Sequence, residues 1–300
     1  MIKKLKHFIE FYSLVIFAFL IRMVPLSLAR FKARRLADFA FYVLEIRKNV
    51  LLENLTAAFP EKKPAELKII ARNTFRQFAT TMVELLFCPK WSEEDLRKMV
   101  SMEGTNLLEE ALSKGKGVVL VGAHFGNWEL MGYRIACDFP LSFVVGRQKN
   151  TRVDDLLNSY RTAKNVKLIP IKIALRGVLQ VLKDNEFIAI LSDQDAHELG
   201  TFVDFFGRPA STPKAPAAFA LKVGCPIIFG SIIRKDGGFV VRFDPVPRPE
   251  PAGDQEKDIQ NYTQAYTSIL EGYVRRYPDH WFWLHRRWKT QPNAPLTKQR

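Results

Sequence analysis

Three hydrophobic patterns follow one another along the 300 residues. The first is an uncharged, largely apolar stretch from Phe11 to Ile21, bracketed by Glu10 and Arg22, in a chain that starts Met1-Ile-Lys-Lys-Leu-Lys. It is shorter than the ~20 residues that a spanning helix needs, and tolerating the flanking charges extends it to Leu28. A basic start followed by an apolar centre also opens a signal peptide, but no A-x-A cleavage site follows. The expectation is an uncleaved membrane anchor, either spanning or lying in the interface. A buried amphipathic helix is the alternative. Arg30, Lys32, Arg34 and Arg35 come next, suited to anionic head groups. Lysines on the other side leave the orientation open under the positive-inside rule.

The second pattern has helical spacing. Between Pro64 and Phe87, the residues Leu67, Ile70, Ala71, Phe75, Phe78, Ala79, Met82 and Leu86 fall on one broad stripe, and Pro64 suits a first helical turn. The third pattern begins near residue 115, where short apolar runs alternate with amphipathic segments. Strands are expected at 117–123, 141–145, 166–169, 187–191 and 226–233, with 238–243 pairing back across the Asp236-Gly-Gly turn. Helices are expected at 152–163, 172–183, 213–223 and 256–277. Strands separated by helices predict an α/β fold with a mainly parallel central sheet flanked by helices, joined to the N-terminal membrane-associated helix. The expected division is an anchor at 1–30 and one domain at 31–300, with a helical lead-in at 31–100 and an α/β body at 101–300.

Charge narrows the partners. Forty-five Lys and Arg against 31 Asp and Glu give 45 − 31 = +14. Such a surface suits anionic lipid, an acidic carrier protein or nucleic acid. The last wants basic and aromatic residues together on one face, and only Trp281, Phe282, Trp283 and Trp288 with Arg286 and Arg287 offer that. That cluster serves equally as an interfacial belt or as a closing core element. Three widely spaced cysteines, Cys88, Cys137 and Cys225, with no CxxC pair, argue against a cysteine zinc site and fit a reducing compartment.

The segment that carries chemistry is Val121-Gly-Ala-His124-Phe-Gly-Asn-Trp-Glu129-Leu. His124 follows a buried strand, at the sheet end where α/β proteins place ligands. Asn127 is a candidate N-cap, which puts Glu129 in the first turn of the next helix. From there Glu129 is expected to reach back to one imidazole nitrogen and leave the other free to take a proton. No G-x-S-x-G elbow, H-E-x-x-H helix or P-loop is present, so attack by a substrate hydroxyl is favoured over a covalent intermediate. By itself a histidine near a glutamate is equally a packing arrangement.

The His-x-x-x-x-Glu spacing resembles the motif of lysophospholipid and glycerolipid acyltransferases. The fuller string His-Phe-Gly-Asn-Trp-Glu resembles the lipid A late acyltransferases, the lauroyl and myristoyl transferases of Gram-negative bacteria. The likeness covers most of the chain. Arg47-Lys-Asn-Val-Leu-Leu-Glu-Asn-Leu-Thr-Ala-Ala-Phe-Pro, Asp193-Gln-Asp, Phe202-Val-Asp-Phe-Phe-Gly-Arg-Pro-Ala and Trp283-Leu-His-Arg-Arg-Trp-Lys are similar to further blocks of that family. The resemblance implies an O-acyltransferase with His124 and Glu129 catalytic. It implies an acyl carrier protein thioester as donor, a phosphorylated glycolipid such as a lipid A precursor as acceptor, and no cofactor, metal or nucleic acid. The expected place is the cytoplasmic face of the bacterial inner membrane. A phosphatidylinositol mannoside or lysophospholipid acceptor stays open, as does a lipid or thioester hydrolase using the same pair on water. A non-catalytic basic membrane-binding module is a third reading. There is no Phe-Pro-Glu-Gly block and the motif acid is Glu rather than Asp, which argues against glycerol-3-phosphate as acceptor.

Other residues are expected to bind substrate. Arg147, just past the second strand, and Arg161 in the next helix offer guanidinium groups to an acceptor phosphate. Asp193 and Gln194 end another strand and are placed to orient the acceptor sugar, with Asn127 nearby. Asp195 belongs with them, metal binding there being the weaker alternative because no third and fourth ligand are evident, and His197 reads as an exposed loop residue.

Overall fold

A computed structural model describes residues 2–235 and 237–292, with side chains from residue 4 onward. Met1 of the basic leader and Asp236 of the expected hairpin turn lie outside the described residues. Five helices precede most of the sheet: α1 (Ile2–Ile21), α2 (Leu26–Tyr42), α3 (Lys48–Ala58), α4 (Pro64–Phe87) and α5 (Glu93–Met99). Helix α4 begins where its chemistry dictates. Pro64 occupies the first turn and the Glu66 carboxylate accepts from the Lys63 backbone N–H at 2.9 Å. Ser92 and Asp95 form the same reciprocal cap on α5.

The body continues as β1 (Val100–Glu103), α6 (Thr105–Leu112), β2 (Val118–Gly122), α7 (Trp128–Ala136), β3 (Leu141–Val145), α8 (Thr151–Thr162) and β4 (Val166–Pro170). It ends with α9 (Ala174–Lys183), β5 (Phe187–Leu191), β6 (Thr201–Phe205), β7 (Arg208–Thr212), α10 (Ala215–Val223), β8 (Ile227–Lys235), β9 (Gly238–Pro245) and α11 (Gln255–Arg276). Seven strands form one sheet in the order β1-β9-β8-β2-β5-β3-β4, while β6 and β7 make a separate antiparallel hairpin. Strands β8, β2, β5, β3 and β4 are parallel, and β9 turns back antiparallel to β8 as the sequence predicted.

The central strands are buried on both faces, so they read as continuous apolar runs rather than alternating ones. Val119, Val121, Ile188 and Phe229 face a core shared with α3, α4, α9, α10 and α11. Val118, Leu120, Leu141 and Ile228 face the opposite core, under α5, α6 and α7. The fold is thus α/β with a mostly parallel sheet between helical layers. The β6–β7 hairpin and the edge strand β1 are additions to the expected elements.

The N-terminal segment is a long helix, but no described helix is long and apolar enough to cross a membrane. One face of α1 and α2 is buried through Ala18, Ile21, Ala29 and Ala33 against Val83, Leu86 and Phe87 of α4. The other face leaves Phe8, Ile9, Ile16, Phe19, Phe31 and Leu36 exposed. Helix α1 is tied at both ends. The Asn150 amide donates to the His7 carbonyl at 2.8 Å and to Glu10 at 3.0 Å, and Arg22 donates to Tyr160 Oη at 2.6 Å.

Candidate active site

Gly122 and Leu191 close the adjacent parallel strands β2 and β5 and are register partners. His124 and Asp193 each lie two residues further on, so the sheet itself brings them together across 69 positions of sequence. The His124 Nδ1 is 2.8 Å from Asp193 Oδ1. Asp193 Oδ2 accepts from the His124 backbone N–H at 2.9 Å and from the Trp281 indole N–H at 2.8 Å. Asp193 is 2% exposed. Such burial would push its pKa up, but the imidazole and the hydrogen bonds outweigh it and hold the carboxyl below its usual value. Burial would likewise depress His124. The charge and hydrogen bond of Asp193 prevail and set the imidazole above its ordinary value. The geometry assigns the ring proton to Nδ1 and leaves Nε2 free to accept one.

The turn that presents His124 is fixed by the far end of the chain. Phe125 N–H donates to the Ala123 carbonyl at 2.7 Å, Gly126 N–H to the His280 carbonyl at 2.8 Å, and Phe282 N–H to the His124 carbonyl at 3.0 Å. Gly126 has φ +60°, and a side chain there would overlap the Ile232 carbonyl, so only glycine fits. Its N–H is already engaged and is not free to serve an oxyanion. Trp281 and Trp283 are buried, so the C-terminal aromatic cluster closes the core.

The expected His124–Glu129 pair is not the one formed. Glu129 accepts from Arg161 Nε at 3.1 Å and Nη2 at 2.5 Å, and from Tyr133 Oη at 3.1 Å. A guanidinium fork engages both oxygens of a carboxylate, and α8 delivers Arg161 where it outcompetes the imidazole for Glu129. Burial would favour losing the Arg161 proton, but Glu129 raises its pKa and keeps it charged.

His124, Trp128, Glu129 and Arg161 stand on the wall of a cavity of about 410 Å³, within the ~300–1,000 Å³ of ligand pockets. Its walls are Leu120 and Gly122 of β2, Leu141 and Phe143 of β3, Ala189 and Leu191 of β5, and Met131 and Ile135 of α7. Gly122 carries no side chain and Ala189 only a methyl group, so neither fills the cavity. Gly132 lets the Phe143 ring lie against α7, since a Cβ there would overlap that ring. A second, small cleft also touches His124 and is lined by Thr74, Gln77, Phe78, Trp128, His280 and Phe282.

The remaining expected residues divide. Asn127 caps α7, its Oδ1 accepting from Leu130 N–H at 3.1 Å and its amide donating to Glu84 at 2.8 Å. At 2% exposure it is a framework residue, not a substrate contact. Asp193 sits behind His124 and cannot touch an acceptor sugar. Gln194 stays in reach, its amide 3.5 Å from His124 Nε2. Arg147 is exposed, between Gly146 and Gln148, which line the cavity. Asp195 binds Thr290 and His285, and His197 is an exposed loop residue as expected. Among the described residues, no three His, Cys, Asp or Glu side chains converge as metal ligands. Glu84 was not foreseen. It is 0% exposed and accepts from Arg30 at 2.7 Å and from Arg234 at 2.6 and 2.8 Å, besides Asn127. Its signal was a lone glutamate amid the apolar run Val83 to Phe87.

Comparison with known proteins identifies the family. A family model described as bacterial lipid A biosynthesis acyltransferase matches residues 2–290. The lipid A biosynthesis palmitoleoyltransferase of Escherichia coli K12 is 26% identical over 271 residues, covering 90% of this chain and 87% of that protein. The lipid A biosynthesis lauroyltransferase of the same organism is 24% identical, covering 86% and 84%. A phosphatidylinositol mannoside acyltransferase of Mycolicibacterium smegmatis is 24% identical, covering 76% and 75%.

Proposed function

The chain belongs to the bacterial lipid A biosynthesis acyltransferase family, and from that premise we propose that His124 is the general base that moves an acyl chain onto the hydroxyl of a phosphorylated glycolipid. O-acyl transfer to a lipid acceptor is the family's activity. The observation that carries the assignment is His124 itself. Its Nδ1 is held by buried Asp193 while the ring stands between an apolar cavity and a second cleft.

In this reading the acyl chain of a thioester, carried by acyl carrier protein, fills the cavity of β2, β3, β5 and α7. The acceptor hydroxyl gives its proton to His124 Nε2 as its oxygen attacks the thioester carbonyl. Asp193 stabilises the imidazolium that forms. The Arg161 guanidinium, fixed by Glu129, supplies positive charge beside the developing oxyanion. The tetrahedral adduct collapses, the C–S bond breaks, and the imidazolium proton passes to the leaving sulfur. Gln194 is the polar contact for the acceptor near the base. A covalent cysteine route is disfavoured, because burial pushes the Cys88 thiol up to about 12.

The exposed apolar face of α1 and α2 supports seating the enzyme on a membrane surface, which we assign to the cytoplasmic face of the inner membrane. The deciding experiment supplies acyl carrier protein or coenzyme A thioesters with a phosphorylated glucosamine lipid, and reads products by mass spectrometry. Acylated glycolipid supports the assignment. Free fatty acid alone, with acceptor present, replaces it with the hydrolase reading. Acylation of a phosphatidylinositol mannoside in preference would instead follow the mycobacterial relatives.

A further inference from the structure

An open cavity of about 620 Å³, separate from the acyl cavity, is lined by Arg30 and Arg34 of α2 and by Arg234, Lys235, Gly237 and Gly238 at the β8–β9 turn. We infer that it binds a phosphate group carried by a lipid, and that this is where the acceptor's anionic group rests while its hydroxyl lies at His124. The inference rests on the acyl-transfer reading above.

Charge is the first support. Four cations line the cavity, against one carboxylate, Glu84, that Arg30 and Arg234 share. Counting Asp236, next to Lys235 in the chain, leaves the surplus positive. Arg34 and Lys235 are exposed and bond no described residue, so their charge is available to a ligand. Construction is the second. Glu84 fixes Arg30 and both Arg234 terminal nitrogens, and Arg234 also lies 4.5 Å over the Phe239 ring. Guanidinium groups already fixed lose less freedom when phosphate oxygens arrive.

Position is the third. Gln77 lines the small cleft at His124 and accepts from Arg234 Nε at 2.7 Å. Glu84 binds Asn127, the cap of the helix that follows the catalytic turn. The cationic cavity is therefore joined to the small cleft at His124 through one bonded pair, Gln77 and Arg234, and the proposal brings the acceptor in by that cleft. Phe31, on α2 between Arg30 and Arg34, is exposed on the proposed membrane face, so the cavity lies at head-group level.

The test is the Arg34→Glu/Lys235→Glu double variant, with Arg34→Ala/Lys235→Ala as the milder form and a thermal melt to confirm folding. The first readout is the ratio of kcat/KM for a phosphorylated glycolipid to that for the same lipid after phosphatase. The second is sedimentation with phosphatidylcholine vesicles, with and without phosphatidic acid. We expect the ratio to fall at least about tenfold, as for lost charged hydrogen bonds, with the change in KM. Anionic vesicle binding should be retained. Loss of vesicle binding with an intact ratio would assign the site to bulk lipid head groups instead of the acceptor. A folded variant with both readouts unchanged overturns the site altogether. If wild type acylates neither lipid, the acyl-transfer reading fails, and the vesicle arm alone decides whether lipid phosphate binds here.

Discussion

His124 and Asp193 stand at equivalent places on neighbouring parallel strands, each two residues past a register pair, and their side chains meet at 2.8 Å. Asp193→Asn should therefore preserve the fold yet lower kcat by roughly 10²–10⁴, because the amide no longer enforces the ring proton on Nδ1. His124→Ala should cost a similar amount, and the double variant little more. Steady-state kinetics on the three proteins checks this; losses that multiply would break the pair into independent contributors.

Glu129 should behave differently. Glu129→Ala leaves the Arg161 guanidinium poorly solvated and without its carboxylate, a loss of roughly 3–5 kcal/mol for a buried pair. A lowered melting temperature should accompany the lost activity, and the drop should exceed that of Asp193→Asn. Equal melting temperatures for wild type and Glu129→Ala would show that the Arg161 bond is not structural.

The pH profile follows from the direction of the shifts. A base must be neutral, and Asp193 holds His124 above 6.5, so the acid limb of kcat/KM should have its midpoint above that value. Asp193→Asn should move the limb to lower pH. For stability the signs run in two directions. The His124 contribution is fully present below 6.5 and is lost as pH rises through its folded value. The Asp193 contribution is present above 3.8 and is lost as pH falls through its depressed value. Removing the pair should flatten the fall in melting temperature on both flanks, above 6.5 and below 3.8, and lower the plateau between them.

How much of this was legible beforehand depends on what each feature needs. Helix α4 and strands β3 and β5 were readable to the residue, because apolar period and flanking turns are local signals. The partner of His124 was not. The strand order β2-β5-β3 is not the order of the chain, so nothing near residue 124 announces that residue 193 lies beside it. The nearer carboxylate, Glu129, drew the assignment because the competing guanidinium sits on α8, 32 positions away. The β6–β7 hairpin escaped because Thr201 to Thr212 mixes polar and apolar residues on a short ribbon that pairs only with itself.

Cavity length should set donor length. Ala189→Phe places a ring where β5 now leaves space, beside Leu120 and Phe143. Each methylene displaced from apolar surroundings loses about 0.8 kcal/mol, about fourfold in affinity. Competition between thioesters of graded chain length should show the optimum shortened by two or more carbons. An unchanged optimum would place the chain elsewhere.

Membrane seating should depend on exposed side chains, not on the buried face of α1. Ile16→Glu and Phe19→Glu, at 57% and 63% exposure, should each weaken vesicle binding by roughly tenfold or more. Deleting the whole helix is a poorer probe, because Ala18 and Ile21 are packed against α4. Vesicle flotation of the two variants checks the assignment, and undiminished flotation of both would remove α1 from the contact.

The catalytic turn hangs on residues 280–282, which lock the backbone of His124 and Gly126 and bond Asp193 through Trp281. A ribosome making this chain exposes His124 long before it exposes those anchors. On the proposed chemistry, the nascent chain becomes able to act on lipid only once residues 280–282 have been made, and translation that stops short of Trp281 should yield an inert product.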